Sequence, residues 1–245
     1  MNANAIITGL CEEVFPTLPD ACVHLLKFDP PFGLNMDYPD FDDKKPDYAL
    51  IEKTLHDARR LLTPDASVWV QCGQRIQAKV YGILEDLGFY WQNSVPWWYE
   101  FGPYQKRKLA PCWQMFHWFS VHPKNYTFNG GDGDLRVPSK RQELGDKRAD
   151  PRGRILPDVW DLKRIAGTFK ERRGHCCQTN ELADDLIVQL CSNRGDLVCD
   201  PMCGTGTALA MAKRHNRRWL GIEKCEATAE GARQRVANET PCLLE

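Results

Sequence analysis

Apolar residues recur with two different spacings along this chain, and the two spacings take turns. Ala5-Ile6-Ile7-Thr8 reads as a short strand ahead of a turn at Gly9, and Cys22 to Phe28 is an apolar run of strand length halted by Asp29-Pro30-Pro31. Tyr48, Ile51, Leu55, Ala58 and Leu62 follow i, i+3, i+4 spacing, which predicts a helix with one apolar face. Ser67 to Cys72 returns to strand character, and a helix from about Arg75 to Leu87 is closed by Gly88. The alternation resumes late in the chain. Helix Glu181–Cys191, with Leu182, Leu186, Ile187 and Leu190 on one face, leads to strand Leu197–Asp200, helix Thr207–His215, strand Trp219–Glu223 and helix Glu226–Ala237. Strands that alternate with helices predict a parallel sheet, so the two blocks read as one α/β sheet with an interruption.

The interruption has its own character. From Trp91 to Phe128 the chain is dense in aromatics, and Ser94–Tyr99 and Met115–Val121 are candidate strands; most of the tryptophans are expected in the core. From Asn129 to about Gly174 periodicity gives way to Gly, Pro and charge, as in a long functional loop or small insertion. The chain therefore divides into 1–128, 129–174 and 175–245, the first and last being parts of one domain.

Two motifs carry chemistry. The first, Asp29-Pro30-Pro31-Phe32, ends a buried strand. Two prolines stop the ladder and stiffen the backbone, so Asp29 and the Pro30 carbonyl point out of the sheet in a fixed direction. A base amino group is a poor nucleophile because its lone pair is delocalised into the ring. A carboxylate and a carbonyl that each accept one N–H localise that pair and aim it, and the ring of Phe32 is suited to stack on a base turned out of its helix. The second motif, Asp200-Pro201-Met202-Cys203-Gly204-Thr205-Gly206-Thr207, runs from a strand end through a glycine turn into a helix, and the next strand ends at Glu223. Glycines let a ligand approach the backbone, and an acidic residue at that strand end accepts hydrogen bonds from ribose hydroxyls. The turn lacks the phosphate fingerprint of dinucleotide folds and suits an adenosyl ligand without phosphate. Ligands in open α/β sheets bind at carboxyl strand ends, so motifs 171 positions apart are expected to share one pocket.

Charge sharpens this picture. The net charge of −1 conceals sixteen Lys/Arg against eight Asp/Glu from Pro103 to His175, a balance of +8, between acidic flanks. Lys106, Arg107, Lys108, Arg136, Lys140, Arg141, Arg152 and Arg154 are candidates to face a polyanion. Eleven cysteines without a CxxC pair read as core thiols, not as a disulfide or zinc framework, and no metal is expected. No apolar run is long enough for a membrane span and no secretory signal is visible, so a cytoplasmic protein is expected.

With the motifs in this order, the sequence resembles the permuted β-group of amino-methyltransferases that modify adenine N6 or cytosine N4 in DNA. In that group the Asp-Pro-Pro-aromatic motif precedes the Asp-Pro-x-x-Gly-x-Gly-Thr motif, with the target-recognition region between. The resemblance extends through Val95-Pro96-Trp97, Asp158-Val159-Trp160 and His175-x-x-Gln178. Phe32 stands where Tyr is commoner, Met202 where Phe is usual, and Thr179-Asn180 where Lys-Pro often follows the Gln. The resemblance implies a Rossmann-like, mostly parallel seven-stranded sheet in the circularly permuted methyltransferase fold, with an inserted target-recognition segment. It implies S-adenosyl-L-methionine as cofactor, held by His175, Gln178, Asp200 to Thr207 and Glu223, and duplex DNA with a flipped base held by Asp29, Pro30, Pro31 and Phe32. It further implies a homodimer and a role in restriction-modification or phage DNA modification. Adenine N6 is preferred to cytosine N4 because the motif begins with Asp. An RNA adenine methyltransferase and a non-catalytic nucleic-acid-binding relative are the alternatives.

Overall fold

The computed structural model describes residues 3–38, 41–100, 102–131, 135–162 and 180–242. The first block comprises β1 (Ala5–Thr8), α1 (Cys11–Val14), β2 (Val23–Phe28), the small hairpin β3 (Asp37–Tyr38) and β4 (Phe41–Asp42), α2 (Tyr48–Arg59), β5 (Leu62–Cys72) and α3 (Gln77–Asp86). The middle comprises β6 (Tyr90–Trp98), β7 (Trp113–Ser120), β8 (Arg136–Val137), α4 (Lys140–Glu143), β9 (Arg154–Ile155) and β10 (Trp160–Asp161). The last block is α5 (Glu181–Cys191), β11 (Leu197–Asp200), α6 (Thr207–Arg214), β12 (Arg218–Glu223) and α7 (Glu226–Asn238).

Eight strands form one sheet in the order β1-β12-β11-β2-β5-β7-β6-β10. Every neighbouring pair is parallel except β5 with β7 and β6 with β7, so β7 alone runs against the rest. From β2 the chain moves through α2 to β5 on one side, whereas from β11 it moves through α6 to β12 on the other. The junction of β2 with β11 is thus the point where strand order reverses, with Val198 opposite Leu25 and Cys199 opposite Leu26.

Both faces of the sheet are covered, which is why the central strands are apolar throughout. One face packs Phe15, Ile51, Leu55, Ala58, Val80 and Leu84 against Leu26, Phe28, Val68 and Val70. The other packs Ala183, Ile187, Leu209, Met211, Ala232 and Val236 against Leu25 and Val198, and continues into the aromatic residues. There Trp69 stacks on Trp118 (5.4 Å, 10°) and on Trp160 (5.8 Å, 20°), and Trp97 stacks on Phe116 (6.0 Å, 21°). Among the eight tryptophans, Trp69, Trp97, Trp118 and Trp160 are buried, while Trp91 and Trp98 are exposed. Among the described cysteines, Cys11, Cys72, Cys191, Cys199 and Cys203 are buried free thiols, and burial pushes Cys191 up to about 12, which suits core residues.

Several expectations shift. Leu62 is not the last residue of the α2 face but the first of β5, because the helix ends at Arg59. Leu182 is exposed; the buried face of α5 is Ala183, Asp184, Ile187, Val188, Leu190 and Cys191. The segment read as irregular holds the β8–β9 hairpin, the α4 turn with a Ser139/Gln142 capping box, and β10, which joins the main sheet as an eighth strand beside Trp97 and Trp98. Two-residue strands fall below the length at which a period is visible in sequence. Among the described residues, no helix is long and apolar enough to cross a membrane.

Because Trp160 links β10 to the stacked pair at the centre of the second core, Trp160→Ala is expected to cost about 3–5 kcal/mol. Chemical denaturation measures this loss; a change below about 1 kcal/mol would show that β10 is an ornament on the sheet.

Candidate active site

Parallel pairing puts the carboxyl ends of β1, β12, β11, β2 and β5 on one edge of the sheet. Asp29 follows the end of β2, and Asp200 is the last residue of the neighbouring β11, so the two motifs are brought together as expected. Glu223 ends β12 on the far side of β11, and Gly9, after β1, donates its N–H to the Glu223 carbonyl at 3.0 Å.

The Asp29-Pro30-Pro31-Phe32 tip is locked from two directions. Gly33 takes φ +71°, and a Cβ there would overlap the backbone of Lys45 and Pro46, so only glycine fits. Asp43, buried, accepts N–H bonds from Gly33 (2.7 Å), Leu34 (3.0 Å) and Met36 (3.1 Å) and so gathers the loop behind the motif. Gly73, just past β5, lies against the partly buried Phe32, whose ring is 3.2 Å from where a Cβ would stand.

The second motif forms a turn with Gly204 at φ +49° and Gly206 at φ +71°. Gly206 is pressed on Ala232 of α7, 3.2 Å from a would-be Cβ, whereas a Cβ on Gly204 would meet nothing within 4 Å. The packing glycine and the open glycine thus divide the motif's two needs, close helix approach and room for a ligand. The Glu223 carboxylate accepts the N–H of Gly204 at 3.0 Å and of Cys225 at 2.9 Å, which leaves each oxygen a further lone pair for hydroxyl donors. Cys203 is buried beneath Gly221, so its thiol serves packing and its backbone serves the turn. Thr205 and Thr207 both bond to Arg235 of α7, at 3.1 Å and 2.7 Å, and Arg235 also reaches Glu181 at 2.6 Å. Pro201 is buried and Met202 partly so, at the edge of the first core.

Electrostatics at this edge is dominated by burial. Desolvation pushes the Asp200 carboxyl up to about 7 against the pull of Lys27, while its Oδ1 accepts the Met202 N–H at 3.2 Å. Lys27 lies within β2, fully buried, with Nζ 3.1 Å from Gln71 Oε1 and 3.4 Å from Asp184 Oδ1. Lys27, Asp43 and Arg235 were missed in the sequence. Lys27 interrupts an apolar strand run, and Arg235 falls on the Ala229, Ala232 side of α7, so buried charge was readable at both. Asp43 sits in a loop with no period to mark it.

The basic candidates separate. Lys106, Arg107 and Lys108 are exposed in the loop after β6, which leaves the sheet at the same edge as the two motifs. Lys140, Arg141 and Arg154 are exposed on the insertion. Arg136 is turned inward, bonded to Asp150 at 2.8 Å and to the carbonyls of Gly131 and Gly153, and Arg152 pairs with the same Asp150 at 3.0 Å. His175 and Gln178 lie outside the described residues.

The family model described as DNA methylase, covering N6 and N4 methyltransferases, matches residues 23–234, from β2 into α7. The chain belongs to this DNA methylase family. Among curated relatives, Type II methyltransferase M.HpaI of Haemophilus parainfluenzae is 30% identical over 238 residues, covering 96% of this chain and 74% of that protein. Type II methyltransferase M.BglII of Bacillus subtilis is 26% identical and is matched over 90% of this chain but only 65% of its own length, just under two thirds. The crystal structure of the M1.HpyAVI–SAM complex superimposes with TM-score 0.68 at 19% identity, over 95% of this chain and 98% of that one, a likeness of fold. In the sheet of this chain, the eighth strand, β10, is the addition that the seven-strand expectation lacked.

Gly33→Ala is expected to lower Tm by several degrees, since it combines left-handed strain of about 1–3 kcal/mol with backbone overlap. An unchanged Tm by calorimetry would refute the lock on the Phe32 loop. For Asp200, a raised carboxyl pKa means that folding favours the protonated form. Its stability contribution is therefore complete below the unfolded value near 4 and lost as pH rises toward 7. Asp200→Asn should accordingly gain Tm relative to wild type between pH 4 and 7, and a difference that shrinks over this range would contradict the burial argument.

Proposed function

We propose that this chain is an S-adenosylmethionine-dependent DNA methyltransferase acting on an exocyclic amino nitrogen, adenine N6 in preference to cytosine N4. The observation that carries the reading is the adjacency of the Asp29 tip and the Gly204 turn at the reversal of strand order. The open space above Gly204 and the spare lone pairs of Glu223 fit a nucleoside with free ribose hydroxyls. The residues present therefore suit this cofactor, which would be held by the Asp200 to Thr207 turn, by Glu223, and by His175 and Gln178 on the family pattern. When bound, it supplies an electrophilic methyl group on sulfur.

The protein supplies orientation. The Asp29 carboxylate and the Pro30 carbonyl each accept one N–H of the target amino group, which frees its lone pair from the ring and directs it toward the methyl. Phe32, backed by Gly73 and by the Asp43-held loop, stacks on the base once it has left the duplex. The adenine preference rests on Asp, not Ser, at the head of the motif. Lys106, Arg107 and Lys108 neutralise phosphates beside the entering base, and Lys140, Arg141 and Arg154 do so from the segment 129–174, to which we assign target reading. Arg136 and Arg152, tied to Asp150, mainly hold that segment together.

Asp29→Ala is expected to reduce transfer of labelled methyl to duplex DNA by about a hundredfold or more, with cofactor affinity by calorimetry nearly unchanged. Full transfer by this variant would overturn the role of Asp29. Mass spectrometry of the methylated nucleoside identifies the base, and preferential transfer to RNA would move the substrate class.

A further inference from the structure

Lys27 is the outlier among the buried residues of the central strands, and nothing in the reading above uses it. It is an ammonium with 1% exposure in the middle of a parallel sheet. A buried cation is retained only where nearby charges offset its loss of hydration. The surroundings can be enumerated element by element. On β2 itself Asp29 lies two residues on, just past the strand end, and its charge attracts Lys27. On β11 the register Cys199 to Leu26, continued by one residue, sets Asp200 beside Lys27. On α5 Asp184 Oδ1 stands at 3.4 Å, with Glu181 one turn earlier bound to Arg235 of α7. On β5 Gln71 Oε1 accepts from Nζ at 3.1 Å, and the Cys72 thiol lies close enough to Asp29 to be pushed up by it as well as by burial. On β7 the ring of Phe116 lies 5.7 Å away.

Asp184 is the strongest partner of this cation but does not account for it alone. The ion pair at 3.4 Å is loose, and Oδ1 of Asp184 is fully buried without a hydrogen bond. Burial alone would push the Lys27 ammonium down, yet the attraction of Asp184, Asp29 and Asp200 outweighs burial and its net shift is upward. The motif carboxylates thus share the charge, and Lys27 also draws Asp200 down against its own burial.

We propose that Lys27 is a positioning residue for methyl transfer, its buried ammonium attracting the carboxylates of Asp29 and Asp200 and fixing them beneath the base and the cofactor turn. The inference rests on the methyltransferase reading and deepens it. Lys27 does not touch the reacting atoms; it acts through the carboxylates at the two strand tips.

The test compares the pH dependence of kcat/KM for methyl transfer to DNA in the full chain carrying Lys27→Met, Lys27→Arg, and Lys27→Met with Asp184→Asn, with Tm followed for each. Lys27→Met should move the acid limb upward by about one pH unit, a tenfold loss at a pH on that limb. Lys27→Arg, which keeps the charge, should restore most of the profile. The double variant should regain Tm, since the orphaned Asp184 charge is gone, and still show the shifted limb. If the double variant instead returns both Tm and the profile to wild type, Lys27 merely neutralises Asp184 and the proposal is overturned, as it is by an unshifted limb in Lys27→Met. Should Lys27→Met fail to fold, the double variant alone decides. Asp29→Ala run in parallel separates the two readings: full transfer there overturns the catalytic assignment whatever Lys27 does, whereas loss of transfer with an unmoved Lys27 profile overturns only this inference.

Discussion

The site depends on β2 lying parallel against β11. Parallel neighbours cannot be joined by a tight turn, and here the two strands are separated by most of the chain, with Leu25 opposite Val198 and Leu26 opposite Cys199. The entropic cost of closing so long a loop grows only slowly with its length. Burial on both faces opposes it: Leu25, Leu26 and Phe28 on one strand and Leu197, Val198 and Cys199 on the other are all essentially inaccessible to water. The next strands leave in opposite directions, toward β5 and toward β12, which is the arrangement at whose strand tips open α/β sheets take their ligands.

That same pairing obliges the protein to manage charge in a dry place. Asp200 and Asp184 are buried, and Lys27 from β2 attracts both, while Arg235 from α7 adds to the pull on Asp184. Arg235 is well satisfied by Thr205, Thr207 and Glu181, so it fastens the cofactor turn to the start of α5. Lys27 is held less tightly, by one amide oxygen and one loose ion pair. A replaceable apolar side chain would suit that position in the core better, which argues that the charge itself is what the site requires.

Much of this arrangement was legible in the residues, and the limits have physical causes. The helices α2, α3, α5, α6 and α7 carry apolar faces long enough for a period to register, and both motifs sit where a strand pattern stops at proline. Leu182 misled because helical spacing identifies a face without showing which of its members reach the sheet; the N-cap at Asn180 leaves Leu182 on the outer turn, half exposed. Strand β10 was invisible because two residues have no period, and its place is set by Trp160 stacking on Trp69, a contact between residues far apart. Sign alone does not separate Arg136 from the exposed basic residues; its bond to Asp150, in the segment that joins β8 to β9, does. Asp43 shows the general case: a loop carboxylate becomes structural only when three amides converge on it.

The order of the motifs along the chain is independent of their geometry. Strand β1, early in the sequence, lies parallel to β12, late in it, with Thr8 opposite Glu223 and the Gly9 amide on the Glu223 carbonyl. The acidic strand end that would hold ribose is therefore braced by β1, and Arg233 of α7 adds a bond to Thr8 at 2.6 Å. With β1 and β12 stitched side by side, the sheet has no memory of which motif was written first. A fold of this kind can be cut and rejoined between motifs without moving a strand, because each tip is positioned by its neighbours in the sheet. Motif order along the chain is thus separable from the geometry, which depends on which strand ends stand side by side.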